Sequence, residues 1–150
     1  MPTSGYGSSF SLCLLSALHA PTGPDPVRAR FVGRVIGTAL PSGLVLLEDE
    51  GTAAVVEVGE VIRQGGGVGM GRAPPGVKER WMVWGEVERC ESPLSIPPIS
   101  AVLPSSTPPS IDPHLLVRAT RLLPFEEEGK DGEVQMEEWR EAVRGMTGTG

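Results

Sequence analysis

The clearest periodicity in the chain lies at residues 27–38 (VRARFVGRVIGT), where Val27, Ala29, Phe31 and Val35 fall on one side and Arg28, Arg30 and Arg34 on the other. A period of two over this length predicts a half-buried strand, and Gly33 in its middle predicts a bend or bulge. The turn Pro41-Ser42-Gly43 leads to a short apolar strand at 44–48, and Asp49-Glu50-Gly51 reads as a hairpin turn. Residues 53–58 alternate again, with Ala54, Val56 and Val58 opposite Glu57. Residues 60–64 suit one helical turn. A second clear strand, 79–89 (ERWMVWGEVER), sets Trp81, Val83 and Val87 against Met82, Trp84, Glu86 and Glu88, with Gly85 near its centre. Residues 115–123 (LLVRATRLL) predict a fifth strand, Val117 and Ala119 facing away from Arg118 and Thr120.

Between these segments the pattern breaks. Residues 1–9 are polar and Gly/Ser-rich and are expected to be disordered. The stretch 10–20 (FSLCLLSALHA) has the apolar centre of a secretory leader, but the first basic residue is Arg28, so the positive start such a leader needs is missing. It is read as a short helix or strand packing onto the domain of an intracellular protein. Residues 65–76 have no periodicity, and 90–114 carry seven prolines, so both are expected to be mobile loops. The domain is therefore placed at 10–125, followed over 126–150 by an acidic linker and an amphipathic helix at 134–144.

Composition narrows the class. The 150 residues suit one domain, and 20 glycines with 15 prolines exclude a long coiled coil or a multi-helix bundle. No run approaches the roughly 18 apolar residues of a membrane span. The net charge of −6 is unevenly spread: residues 1–125 hold 11 acids and 10 bases, whereas 126–150 hold 8 acids and 3 bases. A strongly basic nucleic-acid binder is excluded; a weak or assisted one is not. Cys13 and Cys90 lie far apart with no CxxC pair; they admit a single long-range disulfide, and two reduced thiols are the preferred reading.

Little in the sequence points to catalysis. The Gly-rich stretch 65–71 fits neither a dinucleotide fingerprint nor a phosphate loop, because no Gly-Lys-Ser/Thr follows it and no helix opens after it. His19 and His114 are isolated from other metal-binding residue types, and no G-x-S-x-G elbow is present. No enzyme, metal or cofactor is expected. The arginine face of the first strand is more informative. Such arginines are commonly neutralised by Glu on a neighbouring strand, but with Trp84 or Met82 nearby they also supply the cation-plus-aromatic chemistry of single-strand binders. Glu86 and Glu88 on the same face oppose that reading. The last helix carries Met136, Trp139, Val143 and Met146 on one seam, flanked by Glu137, Glu138, Arg140, Glu141 and Arg144. That seam either closes its own domain or packs on another chain.

A long Gly-kinked first strand, a hairpin, a connector and two further strands fit an all-β fold with a C-terminal helix. The specific plan is the five-stranded OB-fold Greek-key barrel, with a small SH3-like barrel as the competitor. The order LLSAL, RFVGRVIG, AAVVEV, WMVWGEV, LLVRATRLLPF and MEEWREAV resembles the fungal version of the smallest, Ten-one, subunit of the CST telomere-capping complex. The smallest subunit of replication protein A and the smaller OB subunit of the RecQ-mediator complex are related alternatives, as is an interaction barrel with no nucleic-acid role.

The resemblance to Ten-one implies a non-enzymatic nuclear subunit at chromosome ends. It would bind a larger, Stn-one-like OB-fold subunit and contact single-stranded DNA weakly or only within the complex. Carried over by position, Met136, Trp139, Val143 and Met146 would meet the partner. Arg28, Arg30, Arg34, Arg118 and Arg121, with Trp84, would meet DNA.

Overall fold

The computed structural model describes residues 10–63, 75–100, 107–125 and 131–147. The expectations for residues 1–9, for nearly all of the 65–76 connector and for the linker at 126–130 lie outside the described residues. The elements in chain order are β1 (Ser11–Leu12), β2 (Val27–Ala39), β3 (Leu44–Asp49), β4 (Thr52–Glu57), α1 (Gly59–Arg63), β5 (Arg80–Arg89), β6 (Ser110–Pro124) and α2 (Asp131–Thr147).

Strand β2 pairs antiparallel with β3, and β3 with β4; β4 runs parallel to β6, β6 antiparallel to β5, and β5 returns antiparallel to β2. That circuit closes the sheet into the expected five-stranded OB barrel, unevenly, since the β2–β3, β4–β6 and β5–β6 seams each carry a register shift. The segment at 10–20 contributes the two residues of β1, parallel to β2, and a single 3-10 turn at Leu15–Ala17. At the β3–β4 turn Glu50 and Gly51 both have positive φ (53° and 85°), as a two-residue hairpin loop matched to strand twist requires.

The alternation decides what enters the barrel. Phe31, Val35, Val45, Leu47, Val56, Trp81, Val83, Val87 and Val117 all point inward and are buried, and Val61 of α1 joins them. Gly33 is not the bulge that the pattern suggested. The register shift lies between Val35 and Gly37, and Gly33 instead leaves room for Leu15, whose Cδ1 would sit 2.8 Å from any Cβ added there.

A second apolar cluster lies on the outside of the same strands. Ile36, Leu46, Ala53, Val55 and Leu116 are buried there beneath Cys90, Leu94 and Ile96. The expected mobile insertion at 90–114 is therefore corrected in its described parts. Residues 90–100 form a strap along the barrel: Cys90 and Leu94 donate their N–H to the carbonyls of His114 and Pro113, and Ser100 donates to Ile36 at 2.8 Å. Ser110–His114 already belong to β6. The strap comes so close that an added Cβ on Gly37 would meet the Pro98 carbonyl oxygen at 2.2 Å, so this position needs glycine.

Candidate nucleic-acid interface

Outward positions of β2, β5 and β6 line up in two rows across the barrel. In the first row Arg28 lies beside Glu86, and Glu86 beside Arg118. In the second, Trp84 stands between Arg30 of β2 and Arg121 of β6. Period two along β2 and β5 places these side chains on the face opposite Phe31 and Val83, and the sequence alternation predicted that placement.

The two rows have different electrostatics. Arg28 donates from Nε to Glu86 at 3.1 Å, and Arg118 donates from Nε to Glu88. The Glu88 hydrogen bond also holds the Arg118 guanidinium above the usual arginine value. These two cations are neutralised, as the simplest sequence reading expected. In the second row the guanidinium carbons of Arg30 and Arg121 lie 5.6 Å and 4.7 Å from the centroid of the Trp84 ring. Both distances are within cation–π reach. The Arg30 Nε–H is buried and has no acceptor among the described residues. A buried donor left in that condition is uncommon and calls for an explanation.

The structure thus sorts the six expected nucleic-acid residues. Arg30, Trp84 and Arg121 form one cluster, and Arg28 and Arg118 border it as ion pairs. Arg34 sits farther along β2, beside Glu48 of β3 and Arg80 of β5, and does not join the cluster. Trp84 does not stand bare, because guanidinium groups from both neighbouring strands lie over its ring.

The helix seam is also corrected. Met136 and Val143 are each 1% exposed within the chain itself, so they face its own barrel rather than solvent. Trp139 is half-buried and meets Phe125 edge-on, with ring centroids 6.0 Å apart. The Met146 side chain lies outside the described residues. The contacts that hold α2 down include polar ones the sequence reading missed. Arg140 bonds the buried carboxylate of Asp49 at 2.6 Å, and Arg144 bonds Glu50 at 2.9 Å, both at the β3–β4 turn. No local signal links residues so far apart in sequence.

Among the described residues no group of three or more His, Cys, Asp or Glu is placed to hold a metal ion. No helix there is long and apolar enough to cross a membrane. A cleft of about 370 Å³ between the N-terminal segment and β2 is lined by Cys13, Leu18, His19 and Arg28 among others. Burial pushes the Cys13 thiol up, away from the reactive thiolate form. Both cysteines are free thiols.

No protein-family model matches the chain, and no curated protein does. Among solved structures it is similar to the S. pombe Stn1-Ten1 complex, at 14% identity over 89% of this chain and 93% of that one, with a TM-score of 0.49. It is also similar to the S. pombe telomere capping protein Ten1, at 13% identity over 91% and 99% of the two chains, again with a TM-score of 0.49. A putative aspartyl-tRNA synthetase from Leishmania major is 15% identical over 85% of this chain but 23% of its own, with a TM-score of 0.47.

Proposed function

We propose that the chain is a non-enzymatic OB-fold subunit of a complex that caps telomeric single-stranded DNA in the nucleus and assists end protection and replication. The observation that supports this best is the cluster of Arg30, Trp84 and Arg121 on the curved outer face of the barrel. Cations interleaved with an aromatic ring on such a surface are the chemistry of single-strand handling. With Arg28 and Arg118 already neutralised, few cations are available, so the isolated chain binds DNA weakly and depends on a larger OB-fold subunit. The telomeric setting comes from the sequence resemblance to Ten-one subunits.

In this reading α2 still takes part in partner binding, but differently from the seam expected in sequence. Met136 and Val143 fix the helix on the barrel, and the partner meets the edge of Trp139 that the barrel leaves accessible. The Arg28–Glu86 and Arg118–Glu88 pairs favour a second reading, an interaction barrel that meets no nucleic acid. Fluorescence anisotropy with telomeric-repeat and random single strands, measured with the chain alone and with its co-purified partner, separates the two. The proposed function expects weak, salt-sensitive binding that strengthens with the partner. No binding in either state, even at low salt, contradicts it.

A further inference from the structure

We infer that the Arg30–Trp84–Arg121 cluster is a phosphate clamp that holds the backbone of a single strand, of DNA or RNA alike, without reading its bases. The inference rests on the single-strand reading above and gives it a chemical mode. A base-stacking platform needs an aromatic face open to the ligand. Trp84 is half-buried and β5 lies between β2 and β6, each of which sends a guanidinium over the indole, so a base would have to displace a cation to stack there. The ring instead orients two cations.

The charge pattern points to the ligand. Neither Arg30 nor Arg121 has a carboxylate partner among the described residues, although Glu86 and Glu88 stand in the adjoining rows. Those acids are held by Arg28 and Arg118 and would repel an anion that strayed from the second row. A carboxylate of an acidic peptide is satisfied by one guanidinium fork. Two forks held apart by an indole suit an anion with acceptor oxygens in several directions, repeated at short intervals, which describes consecutive phosphodiesters. The buried, unsatisfied Arg30 Nε–H fits a side chain positioned for a ligand rather than for an intramolecular ion pair.

The test uses the full chain at low salt, alone and with its co-purified partner, with four fluorescent probes: an oligothymidine, an oligouridine, an abasic strand of the same length, and polyglutamate. The expected result is equal binding of the three phosphate strands and much weaker binding of polyglutamate. Arg30→Gln with Arg121→Gln should lower affinity roughly 25-fold near 0.1 M salt and reduce the log–log salt slope by about 1.4, since each phosphate contact on a single strand contributes ~0.7. The double lysine variant, Arg30→Lys with Arg121→Lys, keeps both charges and should retain the slope, which guards against misfolding of the Gln pair. Binding of oligothymidine but not the abasic strand overturns the clamp and leaves the single-strand reading standing. So does binding that ignores Arg30 and Arg121. Preference for polyglutamate overturns both, and so does no binding of any strand either by the chain alone or with its co-purified partner.

Discussion

Asp49 and Arg140, 91 positions apart, form a buried ion pair: Arg140 reaches the carboxylate from both Nε and Nη2, at 2.6–3.4 Å, and the two side chains are 4% and 10% exposed. This pair fastens the terminal helix to the turn between β3 and β4. Arg140 also bonds Glu137 at 2.8 Å and lies 3.7 Å from Glu50. Burial raises the Asp49 carboxyl above its ordinary value even though Arg140 opposes the shift, while the Asp49 hydrogen bonds raise Arg140.

Removing one partner should therefore cost more than removing both. Near neutral pH, Arg140→Met strands a buried carboxylate and is expected to destabilise the chain by about 3–5 kcal/mol. Asp49→Asn should cost less, because Arg140 keeps Glu137 and Glu50. The double variant should recover much of the Arg140→Met loss. The pH dependence has a definite sign. With its folded value raised, Asp49 binds its proton more tightly in the folded chain, so its contribution falls as pH rises from 3.8 to the raised value. Urea titrations across that range should show a flatter profile for Asp49→Asn.

Met136 is a core residue of the isolated chain. Met136→Ala is expected to lower stability by about 2–5 kcal/mol without any partner present, read by thermal or urea unfolding. An unchanged melting curve with lost partner capture would make the seam a docking face instead.

Gly37 is the position where the strap touches the barrel. Gly37→Ala forces the Pro98 carbonyl away and should cost about 1–3 kcal/mol. Hydrogen exchange should quicken at Ser100, whose N–H bonds Ile36, and stay slow at Val83 in the barrel core.

Glu86 and Glu88 restrain the cationic face. Glu86→Gln and Glu88→Gln remove two carboxylates from this face and should tighten single-strand binding with a steeper salt dependence, measured by anisotropy. Stability should change by less than about 1 kcal/mol, as expected for pairs this exposed.

The barrel was legible because alternation marks three of its strands, β2, β5 and β6: the inward sets Phe31/Val35, Trp81/Val83/Val87 and Val117/Ala119 were readable by period two. The strap was not. Its clue was that 44–47 (LVLL) and 53–56 (AAVV) are apolar without a break, the mark of strands covered on both faces. The proline count of 90–114 obscured that clue, because proline-rich composition fits a bound extended strap as well as a mobile loop. The arginine face was visible in sequence. Which arginines are neutralised depended on cross-strand register: Arg28 falls opposite Glu86 on β5, and the extra residue of β6, Thr120, sits at the register shift that puts Arg121 opposite Trp84 and Arg118 opposite Glu86, which no local pattern locates. The Asp49–Arg140 pair joins a turn to a distant helix and left no sequence signal.

The most direct test is the composition of what the chain belongs to. The tagged full-length chain is purified from its own cells at moderate salt, and its stoichiometric companions are identified by mass spectrometry. The expected result is a larger OB-fold protein in equal amount, in a complex that retains single-stranded DNA. Recovery of the chain alone, or with companions that lack an OB fold and bind no single strand, would contradict the account.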